Sequence, residues 1–402
     1  MLKKSLLAAC LALVVTAFWI IEPFGHNPLH TPTSVPVETS WDKRCDAAMS
    51  ATNIEIREPL IGYVESGRLL GASAGFYSED CGSYKAGVGY RSKKNLEPFQ
   101  SDTVTRIASI TKPMTAVAVM QLNESGQIDI DAPIQTYLPE FPVTQAPVSV
   151  RNVLSHTSGI PHYESDIDAM SFTHYPSLKL AANEVYSRGF TNAPGERFVY
   201  SSYGYTVLGR VIEAVTGMKF EDYLTENIWQ VAGMDSTSLE DAHSAANKSR
   251  LYIKVGEVFV RSPHTDLSII HPAGGVQSTA EDLLRFGRAI LDNTLISREM
   301  LEVMTDTADS LAPQAGDDPY GLGWSVYEDP GYGTVISHGG AQPGVSAQLR
   351  ILLDKGVVAV ALSNAYGTKS SIIELTFAMT DRAVNIQNHA LNDEQGLKTA
   401  GR

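Results

Sequence analysis

The sequence predicts an α/β fold of the α+β kind: one antiparallel β-sheet flanked by an N-terminal and a C-terminal helix, with a mainly helical lobe beside it. Strand-like runs bounded by turn residues lie near both ends of the chain, helical spacing dominates the middle, and helical segments precede the first strands and follow the last. With 402 residues, 43 % of them apolar and 19 % charged, the chain can bury a sizeable core. The formal net charge of −14 comes with no basic stripe, which argues against nucleic-acid binding.

Taken in order, Lys3 and Lys4 precede an apolar run from Leu6 to Ile21. Residues 1–25 therefore read as an export signal or a membrane anchor. The anchor is favoured because no small-x-small cleavage site follows. The body would then be exported, periplasmic or anchored facing outward, with a mitochondrial targeting segment or a lipoprotein box at Leu7-Ala8-Ala9-Cys10 as alternatives. Residues 26–45 are proline-rich in their first part and read as a linker. Cys45 and Cys81 either pair in an oxidising compartment or remain free thiols. From Asp46 to Leu70 the spacing is helical, and strands follow at Ser73–Tyr77 and Tyr84–Tyr90. The folded body is expected over 46–385. Four more strands are expected at Tyr320–Tyr327, Thr334–Ser337, Ser346–Leu353 and Gly356–Leu362, joined by Pro-Gly and Asp-Lys-Gly turns as antiparallel hairpins. A helix from about Ser370 to Val384 closes the sheet, and residues 386–402 read as a loose polar tail.

Three short elements carry chemistry. Ser109 and Lys112 stand three apart at the head of an apolar helix, Ser109 to Leu122, so both groups share a face. Pro113 is tolerated only in a first helical turn, which fixes the helix start beside Ser109. A buried lysine loses its proton and can then take one from a hydroxyl, while the helix N-terminus favours developing negative charge. The second element is Tyr200-Ser201-Ser202, between a turn at Ala193-Pro194-Gly195 and a following helix. A phenol beside an ammonium is expected to have a lowered pKa and to act as base and acid. The third is His338-Gly339-Gly340 at the end of the strand Thr334–Ser337, where glycines admit a substrate. The N–H of Ala341, with that of Ser109, would form an oxyanion hole.

Other patterns carry less. Ser40–Lys43 repeats the Ser-x-x-Lys spacing without supporting context. Gly71-Ala72-Ser73-Ala74-Gly75 has the spacing of a nucleophile elbow, but the helix precedes the strand, the reverse of what the elbow requires. His156 and His162 lack a third ligand for a metal, and His156 is expected to hydrogen-bond within its own loop. No metal or cofactor is expected.

Taken together, Ser-x-x-Lys, Tyr-x-Ser and His-x-Gly in this order resemble the penicillin-recognising serine hydrolases. That group includes class C β-lactamases, D-Ala-D-Ala carboxypeptidases and related esterases and peptidases. The stretches Val153–Ile160 and Pro272–Asp282 resemble that family as well, over roughly Ile54 to Asn364. Thr157–Glu164 and Tyr200–Ser202 look most like its lactamase-like serine proteases. The resemblance implies a β-lactamase/transpeptidase-like fold. It also implies an acylated nucleophile at Ser109, Lys112 sharing its proton, and Tyr200 as base and as acid for the leaving group. Ser202, His338, Gly339, Gly340 and Ala341 would contact substrate. His338 stands where the family has lysine, Gly339 where it has threonine and Ser202 where it has asparagine. A small-molecule or peptide substrate with an ester or peptide bond, D-amino-acid peptides included, is therefore favoured over β-lactams or D-Ala-D-Ala. A catalytically silent scaffold or ligand sensor on the same fold is the competing class.

Overall fold

A computed structural model describes residues 34–144, 146–165, 169–240, 247–312 and 318–400. The segment read as signal or anchor lies outside them. No helix among the described residues is long and apolar enough to cross a membrane.

The expected sheet is present. Its strands are β1 (Val37–Trp41), β2 (Gly71–Ser78), β3 (Gly82–Ser92), β4 (Ser325–Asp329), β5 (Gly333–Gln342), β6 (Val345–Leu352) and β7 (Val357–Ser363). They run in the order β1-β3-β2-β7-β6-β5-β4, every neighbour antiparallel, with the short strand Glu97–Pro98 pairing off this path with β3. The continuously apolar β7 is central and buried along its whole length, as a strand covered on both faces must be.

One face of the sheet packs on α1 (Asp46–Glu65) and the C-terminal helix α5 (Lys369–Ala400) through Phe76, Tyr84, Ala359, Ala361, Ile372 and Met379. The other face packs on the helical lobe. That lobe contains α2 (Thr111–Glu124), α3 (Ser202–Thr216) and α4 (Ala280–Leu291). Leu349, Ile351, Val358 and Val360 meet Leu283, Phe286 and Ile290 there. A Cβ on Gly287 would stand 2.4 Å from Val358 Cγ1, so this glycine lets α4 lie directly on the sheet.

Several boundaries differ from expectation, among them that of β4, which starts at Ser325 and not at Tyr320. Part of the stretch read as linker is the edge strand β1, whose partner β3 satisfies its backbone groups. Strand β5 does not stop at Ser337: its ladder with β6 continues from His338↔Leu349 through Gln342↔Val345. The backbone beyond Asn385 stays helical to Ala400, in a segment with one glycine and no proline to stop it.

Cys45 and Cys81 are disulfide-bonded, Cα to Cα 5.2 Å, across 36 residues of chain. The bond ties the start of α1 to the β2–β3 turn. Replacing both by serine is expected to lower stability by about 2–4 kcal/mol. Urea unfolding of the double variant with and without reductant measures this. Equal midpoints for oxidised wild type and variant would show that the bond is not formed.

Candidate active site

The turn that carries Ser109 is built on strain and close approach. Ser109 sits in a short 3-10 turn, Ala108–Ile110, that runs directly into α2. Ala108 adopts φ +48°, a left-handed conformation that costs on the order of 1–3 kcal/mol for a non-glycine residue. The surroundings hold it there. Gly340 of β5 lies so close that a Cβ on it would stand 2.3 Å from the carbonyl oxygen of Ile107. Just upstream, the fully buried Arg106 guanidinium binds Glu240 at 2.9 Å, Thr265 Oγ1 at 2.8 Å and the Pro343 carbonyl at 3.2 Å. This ties the turn to the loop that follows β5.

Lys112 is 0 % exposed, buried in the first turn of a helix that is buried almost throughout. Its Nζ lies 3.0 Å from Ser109 Oγ, 3.1 Å from Ser202 Oγ and 3.1 Å from the Ala273 carbonyl oxygen. No carboxylate is among these partners. Burial holds its pKa well below the ordinary lysine value. Nζ is the donor in all three contacts, and an amine that has lost a proton can keep the Ala273 and Ser202 bonds while turning its lone pair to the Ser109 hydroxyl.

The Tyr200 phenol shares a side-chain hydrogen bond with Ser109, and Lys112 Nζ lies 4.7 Å from the centre of its ring. The lowered phenol pKa expected from the sequence is not found. Burial pushes Tyr200 above its ordinary value, and the hydrogen bond with Ser109 only partly offsets this. The expectation weighed only the neighbouring lysine, whereas the burial of the phenol itself disfavours its charged form.

The residues expected to contact substrate divide. Ser202 is 4 % exposed and its hydroxyl is committed to Lys112. His338 is 5 % exposed: Nδ1 donates to the Gly339 carbonyl at 2.8 Å and Nε2 accepts from the Tyr320 hydroxyl at 3.0 Å. Burial above all pushes its imidazole down to about 3, so it stands neutral. Gly340 is buried against the turn that carries Ser109, Gly339 is half-buried, and Ala341 is exposed at the same edge. Four contributors were not singled out as site residues: the Ala273 carbonyl, Tyr320, His156 and His162. Ala273 lies in the Pro272–Asp282 stretch that carried part of the resemblance. Tyr320 was assigned to a strand. His156 bonds locally through its backbone N–H, to the Val153 carbonyl at 3.3 Å, but its side chain reaches out of the loop: Nδ1 accepts the backbone N–H of Ser201, 45 residues on, at 3.1 Å.

The Beta-lactamase family model matches residues 56–381. Penicillin-binding protein 4* of Bacillus subtilis (strain 168) is 27 % identical over 301 residues, covering 70 % of this chain and 65 % of its own length. The serine beta-lactamase-like protein LACTB, mitochondrial, of Homo sapiens is 27 % identical over 361 residues, covering 67 % and 66 %. The chain thus spans just under two thirds of the length of these two relatives. Among solved structures, a D-stereospecific amidohydrolase from Streptomyces sp. superposes with a TM-score of 0.66 at 25 % identity, covering 82 % of this chain and 98 % of that one.

Proposed function

The chain belongs to the β-lactamase family, and from that premise we propose that it is a serine hydrolase working through an acyl-enzyme on Ser109. The observation that carries this reading is the contact between Ser109 Oγ and Lys112, whose pKa burial holds well below the ordinary lysine value. As Oγ attacks the substrate carbonyl carbon, its proton passes to Lys112 Nζ. Charge gathering on the carbonyl oxygen is favoured by the N-terminus of α2 and by backbone N–H groups at Ser109 and Ala341. The phenol of Tyr200, neutral and hydrogen-bonded to Ser109, is placed to pass a proton to the leaving oxygen or nitrogen. The C–O or C–N bond then breaks and the acyl group stays on Ser109. The Lys112 ammonium returns its proton to the Tyr200 phenolate; water then attacks the acyl carbon as the neutral amine takes its proton, the ester C–O bond breaks, and the amine gives that proton back to Ser109 Oγ. In this reading Lys112 is the base and Tyr200 the acid.

The substrate class follows from His338. A neutral imidazole already bonded to Tyr320 offers no fixed cation where the family's lysine would meet a carboxylate. Neutral esters, amides and internal peptide bonds suit such a site better than β-lactams or free C-terminal D-Ala-D-Ala. The likeness to a D-stereospecific amidohydrolase supports including bonds made by D-amino acids. The Cys45–Cys81 disulfide supports an exported body, with the mitochondrial compartment of the LACTB relative as the alternative.

A fluorophosphonate is expected to label the wild type and not Ser109→Ala. Short-chain p-nitrophenyl esters and C-terminally amidated D-peptides should be turned over faster than the same peptides with a free carboxylate or a chromogenic cephalosporin. A wild type left as unlabelled as Ser109→Ala would point to a scaffold. A preference for the free carboxylate would overturn the substrate class alone.

A further inference from the structure

The turn that carries Tyr200 and Ser202 is gripped by two imidazoles. Ser201 is the N-cap of α3: its Oγ accepts from the Gly204 N–H at 2.9 Å and donates to the Pro161 carbonyl at 2.7 Å. A helix start leaves backbone N–H groups without intrahelical partners, and here the N–H groups of Ser201 and Ser202 are two of them. Both are met by histidine. His156 Nδ1 accepts from Ser201 at 3.1 Å, and His162 Nδ1 accepts from Ser202 at 3.2 Å. Both histidines come from the one loop that also supplies the Pro161 carbonyl.

The same two rings touch the phenol. The His156 ring centre lies 4.4 Å from that of Tyr200, 4.8 Å from Tyr320 and 5.2 Å from Tyr205. His162 meets Tyr200 edge-on at 5.3 Å. His156 is 1 % exposed and holds φ +60°, so the backbone accepts a strained conformation to aim this ring inward. Because Nδ1 accepts, the neutral ring carries its proton on Nε2, which has no hydrogen-bond partner. A residue serving only as a cap would leave no buried N–H unmet.

We infer that His156 and His162 are positioning residues for acylation. By holding the Ser201 and Ser202 amides and flanking the Tyr200 ring, they set the phenol on Ser109 and the Ser202 hydroxyl on Lys112. This rests on the hydrolase reading above. Neither residue reaches the reacting atoms; each acts through the turn.

The test separates acceptor from ring. Phenylalanine at 156 or 162 keeps a ring and removes the acceptor. Asparagine keeps an acceptor at similar reach and tolerates left-handed backbone. Acylation by a p-nitrophenyl ester is followed in single turnover for the wild type, His156→Phe, His162→Phe, His156→Asn and His162→Asn. Each rate is scaled to the folded fraction from circular dichroism. The phenylalanine variants are expected to acylate about 100-fold more slowly, as for a displacement near 1 Å, with KM little changed. The asparagine variants should recover most of the rate. Wild-type rates in both phenylalanine variants, a loss confined to KM, or no recovery with asparagine would overturn the inference. Should phenylalanine at the strained position 156 prevent folding, the pair at 162 decides, because His162 is not among the left-handed residues. A wild type that is not acylated rejects the hydrolase reading itself, and this inference with it.

Discussion

Replacing Lys112 by alanine is expected to slow acylation of Ser109 by roughly 10²–10⁴-fold, the range for loss of a positioned general base. The argument is geometric. Ser109 Oγ has the amine at 3.0 Å and a neutral phenol as its other named side-chain partner, and a phenol raised above its ordinary pKa is a poor proton acceptor at neutral pH. Removing the amine leaves nothing able to take the proton. The pH dependence identifies the group. Acylation by the wild type should rise with pH as Lys112 loses its proton, well below the ordinary lysine value. Tyr200→Phe should keep this limb while losing rate with poor leaving groups more than with p-nitrophenol. A limb that disappears in Tyr200→Phe would return the base role to the phenol.

The same burial links charge to stability. The folded-state pKa of Lys112 is depressed, so between that value and the ordinary 10.5 the unfolded chain binds a proton that the folded chain does not. Its contribution to stability therefore rises with pH across that window and is lowest below the folded-state pKa. The urea midpoint of the wild type should climb over this range more steeply than that of Lys112→Ala. Parallel slopes would mean that Lys112 keeps its charge when folded.

How much of this was legible in the sequence varies with the physics. Pro113 and the apolar face behind it located the nucleophile turn, because a proline inside a helix has one tolerated place. The apolar run at β7 located the centre of the sheet. The end of β5 was misjudged because two glycines read as a strand terminus, whereas the pairing of Gly339 with Gln348 and Gly340 with Ala347 carries the ladder past them. The role of His156 was hidden for another reason. It depends on one left-handed backbone angle and on a contact 45 residues away, and local spacing encodes neither. The sign of the Tyr200 shift was missed because it depends on the burial of the phenol itself, which local spacing does not encode.

Gly340→Ala is the second substitution expected to have a large effect, and Gly339→Ala is its control. Neighbouring residues of a strand face opposite sides of the sheet. A Cβ at 340 would stand 2.3 Å from the Ile107 carbonyl oxygen and 3.3 Å from Ala108 Cβ, both part of the nucleophile turn. A Cβ at 339 would meet only the end of the Gln348 side chain, at 3.1 Å, which can swing away. The turn has little room to yield, because the Ile107 N–H is held by the Val276 carbonyl at 3.1 Å and Ala108 is already left-handed. Overpacking at 340 should therefore cost about 1–3 kcal/mol of stability. Displacing Ser109 from Lys112 should slow fluorophosphonate labelling of the folded protein by roughly 100-fold. Gly339→Ala should stay close to wild type in both measurements. If the two variants label at the same rate, the close packing of β5 on the nucleophile turn is not what holds Ser109 in place.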